Sequence, residues 1–266
     1  MSETDLVRRD DADGIATLAL NAPEAINALS EAMMAALSSQ LDCIATDRSI
    51  RVVILRGEGQ HFCAGHNLKE MTTRRSDSDG GLEYFRTLFK TCSDMMLRIT
   101  RLPQPVIAEV SGIATAAGCQ LVATCDLALA AENAKFATSG VNIGLFCSTP
   151  MVPLSRNIVS KHALDMLLTG DFVDAQRAAN IGLVNKVVQL DQLSRATREL
   201  AMSIASKSPA AVEIGKRAFY EQSNLSLEDA YALAGEAMAN NMMAKDTEAG
   251  IAAFINKETM PEWSGE

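Results

Sequence analysis

Two bare stretches of this sequence lead into helical patterns: HFCAGHNLKEM at residues 61–71 and GIATAAGCQLVATCD at residues 112–126. Each reads as a strand end, a run of small residues, then a helix. The first N–H groups of a helix have no intrahelical acceptor, and the helix dipole strengthens them as donors. If the two turns face one another, they aim two N–H groups at one carbonyl oxygen, which is an oxyanion hole. Small residues let a ligand approach the backbone that closely. Taken singly, each stretch is better explained by tight packing of helix on strand.

Side chains near these turns offer little acid–base chemistry. The His66 imidazole can take or give a proton near neutral pH, although packing or solvent is the expected role of a single such ring. Cys119, Cys147 and Ser148 are nucleophile types, yet none has an adjacent base visible in the sequence, so structural roles are expected. Glu109 stands in an otherwise apolar strand; it is either a displaced acid or, as expected, an edge position facing solvent. Asp126 falls between a helix and a strand, where a cap or turn residue is expected. The six cysteines form no CxxC pair, and His61, His66 and His162 have no ligand spacing. Reduced thiols and no structural metal are expected.

The elements that would position these groups alternate. Gly14 to Ala19 reads as a strand. A helix follows from SEAMMAALSSQLDCIATD, capped by Ser30, with Met33, Met34, Leu37, Leu41 and Ile44 on one face. VVIL after Arg51 reads as a buried strand ended by Gly57 and Gly59. Residues 72–81 (TTRRSDSDGG) read as a mobile surface loop. Phe85, Leu88, Phe89, Cys92, Met95, Met96 and Ile99 keep helical spacing, stopped by LPQP. Val106–Val110 reads as a strand, Leu121–Cys125 as a helix and Leu127–Ala131 as a strand. Alternation of this kind predicts an α/β fold with crossover connections. From Leu193 to Ile255 the pattern is helical nearly throughout, broken at SKSP. A core over 1–192 and a helical region over 193–266 are expected. Met238, Met242 and Met243 are expected in the core rather than at an interface.

At 266 residues, about half of them apolar, the chain can bury a large core. A net charge of −9 argues against a nucleic-acid partner. No apolar run reaches membrane-spanning length. The acidic opening MSETDLVRRDDADG is unlike a secretory signal, so a cytoplasmic protein is expected.

As a set, the motifs resemble the crotonase superfamily of enoyl-CoA hydratases and isomerases along nearly the whole chain. NAPEAINALS (21–30) is similar to its first CoA-contacting stretch, and FCAGHNLKEM to its first oxyanion segment. PVIAEVSGIATAAGCQLVATCDLALA (105–130) is similar to its second, and TGDFVDAQRAANIGLVNKVV (169–188) to the run before its C-terminal helices. ATAAGCQ and GVNIGLFCSTP (140–150) resemble the subgroup of enoyl-CoA hydratase domain-containing protein 3. The resemblance implies a spiral of ββα turns with C-terminal helices that build a homotrimer, often paired into a hexamer. It implies a thioester oxygen held by the N–H groups of His66 and Ala117. It implies CoA lying along Ala25, Ile26, Ala64, Asn67, Leu68 and Lys69, with Phe254 and Lys257 approaching the CoA of another subunit. No separate cofactor is implied: the ligand is the acyl-CoA itself.

The chain departs from this family at the two glutamates that run hydration. Gln120 occupies the first position, and alignment on Phe136 puts Gly140 at the second. Glu24 replaces a common lysine, which weakens the expected contact with CoA phosphates. An amide can hold a water but cannot accept its proton at neutral pH. Three alternatives stay open: an enzyme acting through enolate stabilisation, an acyl-CoA-binding or regulatory module without turnover, and a structural trimer whose pocket is blocked by His66 or Phe146.

Overall fold

A computed structural model describes residues 6–266. The first residues of the acidic opening, 1–5, lie outside the described residues.

Two strands start the described chain. β1 (Val7–Ala12) pairs antiparallel with β2 (Ile15–Leu20). β1 escaped the sequence reading because VRRDDA carries no apolar alternation; most of it is exposed at the sheet edge. α1 (Glu31–Ala45) starts as expected, with Ser30 Oγ accepting the Met33 N–H at 3.1 Å. Its predicted apolar face is buried.

β3 (Val52–Gly57), α2 (Leu68–Thr73) and α3 (Leu82–Arg101) follow. The segment at 72–81 is not simply a loop. α2 extends into it, and a further helical turn covers Arg74–Ser76. Arg74 stacks 5.0 Å from the Tyr84 ring centroid and Arg75 lies 5.7 Å from that of Phe85. These contacts to α3 give the polar segment a fixed partner.

The middle of the chain repeats a step. β4 (Val106–Val110) leads to β5 (Ile113–Thr115) and α4 (Ala117–Thr124). β6 (Leu127–Ala131) then leads to β7 (Lys135–Ala137), α5 (Ser148–Asn157) and α6 (Ser160–Thr169). β8 (Val173–Asp174), α7 (Ala175–Asn180) and β9 (Lys186–Val188) complete the sheets. The large sheet has the order β1-β2-β3-β4-β6-β9, parallel from β2 onward. The small sheet has the order β5-β7-β8. So β4 to β6 and β5 to β7 each advance one strand, which is a spiral of ββα turns. α4 starts four residues earlier than the sequence reading had it, because Ala117–Gln120 carries no apolar periodicity.

One face of the large sheet and the inner helices form the main core, with Phe62 and Phe136 wholly buried. The other face presents Ile15, Val52, Ile54, Ile107 and Leu129 to α8 (Leu193–Ala205). Glu109 shares that face, two residues on from Ile107. The expected solvent-facing edge position is therefore wrong: β4 is central and Glu109 is buried. Burial raises its carboxyl pKa, with Arg56 and Thr197 partly offsetting. Strand alternation could not foresee that a helix more than eighty residues downstream would cover this face.

α9 (Pro209–Gln222), α10 (Leu227–Met242) and α11 (Lys245–Asn256) complete the chain. Asp126, expected as a cap or turn residue, anchors α9. Its Oδ2 accepts from Lys216 Nζ and from the Val106 N–H, both at 2.6 Å, and its Oδ1 accepts from Tyr220 Oη at 2.8 Å. Met238, Met242 and Met243 are all exposed, against the expectation of core positions. α10 buries none of its side chains within this chain.

Candidate functional site

The two bare turns do meet. Cys63 bridges to Ala114, with the Cys63 N–H donating to Ile113 O and the Thr115 N–H to Cys63 O, both at 3.0 Å. A Cβ at Gly65 would fall 3.0 Å from Ala117 N and 3.0 Å from the Ala116 Cβ. One at Gly118 would fall 2.1 Å from the Cys63 carbonyl oxygen. These two glycines are bare because chain packs on chain, which is what brings the His66 and Ala117 turns together.

Two N–H groups are left over at this junction. The Leu29–His66 bridge uses the Gly65 carbonyl, which accepts the Leu29 N–H at 2.8 Å. The His66 N–H is not part of that pairing. Ala117 is the first residue of α4, so its N–H has no intrahelical acceptor. Among the described residues neither N–H donates to another group.

Ala116, just before α4, adopts φ 51° and ψ −118°. That region is costly for a residue with a Cβ, on the order of 1–3 kcal/mol. The strain is held by neighbours: the Ala116 N–H donates to Ala137 O at 2.9 Å and its carbonyl accepts the Gln120 N–H at 3.0 Å. Asn27 secures the other side. Its Oδ1 accepts the Ala22 N–H at 2.9 Å, and its Nδ2 donates to Glu58 O at 3.0 Å and His61 O at 2.9 Å. Sequence reasoning missed both residues. Nothing marks Ala116 among its alanine neighbours, and Asn27 acts across more than thirty residues.

The side chains at the junction are polar and unpaired. Both ring nitrogens of His66 are buried without a hydrogen bond of normal geometry, as are Gln120 Oε1 and Thr138 Oγ1. The His66 ring stands edge-on to Phe89, 5.6 Å between centroids. Burial lowers its pKa, with the Leu29 carbonyl offsetting only part of that, so the ring is neutral at neutral pH. Burial pushes the Cys63 and Cys119 thiols up to about 12 and raises Cys147 as well. None of these is a ready thiolate. Ser148 is exposed.

At Gly140 the chain has closed. A Cβ there would lie 2.3 Å from Leu145 O and 2.9 Å from Cys147 Sγ. The turn is fixed by the Leu145 N–H donating to Gly140 O at 2.9 Å. Phe146 is partly exposed rather than packed inward.

The residues expected along CoA fall into two groups. The Ala64 N–H donates to Ile26 O at 2.9 Å, which joins Ala25 and Ile26 to the start of α2. There Asn67 caps, its Oδ1 accepting the Lys69 N–H at 3.1 Å, and Leu68 and Lys69 are exposed. Ala25, Ile26, Ala64, Asn67, Leu68 and Lys69 thus share one edge beside His66. Phe254 and Lys257 lie at the exposed end of α11, with no hydrogen bond or ring contact to that edge. Open depressions of about 440 Å³ beside Arg98 and about 490 Å³ beside His61 reach neither His66 nor Ala117. No group of residues that could hold a metal ion occurs among the described residues, and no helix there is long and apolar enough to cross a membrane.

Comparison with known proteins gives a consistent result. Residues 10–266 match the enoyl-CoA hydratase/isomerase family. The mitochondrial enoyl-CoA hydratase domain-containing protein 3 of Rattus norvegicus is 45% identical over 263 residues, covering 99% of this chain and 86% of that protein. A crystal structure of an enoyl-CoA hydratase from Mycobacterium smegmatis superposes with a TM-score of 0.92 at 50% identity, over 97% of this chain and 98% of that one. The human domain-containing protein 3 structure gives 0.91 at 43% identity, over 96% and 99%.

Proposed function

This chain belongs to the enoyl-CoA hydratase/isomerase family, and from that premise we propose that it binds an acyl-CoA thioester with the carbonyl oxygen between the N–H groups of His66 and Ala117. The observation that carries the reading is the junction itself: two unpaired N–H groups on turns that touch at Gly65 and Ala117. One such donor is worth about 2.7–4 kcal/mol to a developing oxyanion. The reading is therefore stabilisation of an enolate or related anion of the thioester, with the CoA along Ala25, Ile26, Ala64, Asn67, Leu68 and Lys69. Lys69 is exposed and has no ion pair among the described residues, which suits a phosphate.

The two-carboxylate route to hydration has no support here. Gln120 is an amide and Gly140 has no room for a side chain. General acid–base help is worth typically about 10²- to 10⁴-fold per group, so hydration is expected to be lost in practice while binding persists. The same observation favours a second reading, an acyl-CoA-binding or regulatory module without turnover. No further cofactor belongs to either reading.

Assembly as a homotrimer or a dimer of trimers is part of the proposal, with Phe254 and Lys257 reaching a neighbour's CoA. The vertebrate relatives are named mitochondrial, whereas the opening residues suggested a cytoplasmic protein. Both compartments suit six free cysteines, five of them buried, and a role in fatty-acyl metabolism.

Crotonyl-CoA tests the reading. Its enoyl absorbance should fall no faster with the protein than without it, while calorimetry shows saturable binding of acyl-CoA. Rapid hydration would contradict the account of Gln120 and Gly140; absence of binding would contradict the reading as a whole.

A further inference from the structure

Six buried side-chain nitrogen or oxygen atoms lack a hydrogen bond of normal geometry among the described residues, and four belong to His66, Gln120 and Thr138. All three lie on backbone segments tied to the junction of the two turns. Gln120 follows Ala117 by one helical turn. Thr138 follows Ala137, whose carbonyl accepts the Ala116 N–H at 2.9 Å. A buried polar atom left unpaired costs about 1–3 kcal/mol. Such a concentration beside two unpaired N–H groups marks a place completed by a ligand.

Of these side chains, one can take a proton. The Gln120 amide and the Thr138 hydroxyl are not bases at neutral pH. The nearby cysteines are held as neutral thiols by burial. No carboxylate is among the unpaired groups. The His66 ring belongs to the same residue as one of the oxyanion donors. Ring and N–H thus hang from one Cα, and the buried ring nitrogens are the unpartnered basic atoms nearest in the chain to that donor.

Resting on the acyl-CoA reading above, we infer that the His66 imidazole is the base that removes a proton from the carbon next to the thioester carbonyl. The C–H bond breaks and an N–H bond forms on the free ring nitrogen. The electron pair moves toward the carbonyl oxygen, giving an enolate held by the His66 and Ala117 N–H groups. The imidazolium then returns a proton to the same carbon, or to one conjugated with it. No oxidant, metal or second substrate is needed. Burial fits the step, since it keeps the resting ring neutral, and the edge contact with Phe89 fixes the ring plane.

Exchange with deuterium oxide reads this step directly. The full chain is incubated with butyryl-CoA, and deuterium at the carbon beside the carbonyl is followed by mass spectrometry. Exchange should run well above the protein-free rate. His66→Gln should bind butyryl-CoA nearly as well by calorimetry while exchange falls by about 100-fold or more. In His66→Ala, added imidazole should restore part of the exchange. Binding by the unaltered protein without exchange would overturn the inference and leave the acyl-CoA reading standing, as would undiminished exchange in His66→Gln. Absence of binding by the unaltered protein would remove both.

Discussion

At the residue scale, Gly140 is the informative position. Alignment on Phe136 showed that an acid was missing there, but a missing acid can be restored by substitution when space remains. Here the Leu145 carbonyl and Cys147 sulfur occupy the place of a Cβ. Gly140→Glu, alone or with Gln120→Glu, is expected to give no hydration of crotonyl-CoA. It should also lower stability by about 1–3 kcal/mol, the usual cost of overpacking, measured by denaturant unfolding. Hydratase activity in the double variant would show that the turn reopens easily and that the loss is chemical alone. Legibility at this scale was uneven. The two turns could be found because small residues before a helix leave a pattern, and only the family resemblance pointed within them to His66 and Ala117. Ala116 and Asn27 could not, since a strained backbone and hydrogen bonds to distant carbonyls leave none.

At the element scale, the helical run after Leu193 was legible as helices but not as two kinds of helix. α8 covers the second face of the large sheet, whereas α9 is tied down chiefly by polar groups. Lys216 Nζ donates to Ile99 O at 2.9 Å, Gln104 O at 3.0 Å and Asp126 Oδ2 at 2.6 Å. Ile99 lies in the last turn of α3, where a cation is favoured by the helix dipole. The side chains of Lys216 and Asp126 are 7% and 14% exposed, so the pair is little screened. Removing one partner of a buried pair costs about 3–5 kcal/mol. Lys216→Met should approach that loss in denaturant unfolding, and Asp126→Asn should cost less because Tyr220 and Val106 can still donate. A change within a few tenths of a kcal/mol for Lys216→Met would mean that apolar packing, not this network, holds α9. The sequence hid the network because its members are ninety residues apart.

At the scale of the whole molecule, exposed apolar side chains gather in two stretches of the chain, Ile143–Phe172 and Phe219–Met260. Phe219, Tyr231, Met238, Met242, Phe254 and Ile255 are exposed on α9, α10 and α11. Exposed apolar groups gathered on neighbouring helices mark an interaction surface. Sedimentation velocity should therefore find trimers or larger, and a monomer at micromolar concentration would contradict the proposed assembly. The α/β class was legible from strand–helix alternation and the spiral from family resemblance alone, while β1 and the small sheet's short strands were too brief or too polar to read. The central claim concerns what that frame delivers to the ligand: two N–H groups on one carbonyl oxygen. It is tested most directly by labelling the carbonyl carbon of butyryl-CoA isotopically and recording its NMR shift on binding. The account predicts a downfield shift of the bound carbonyl, as polarisation by two donors requires. A bound ligand whose carbonyl resonates where it does in free solution would contradict it.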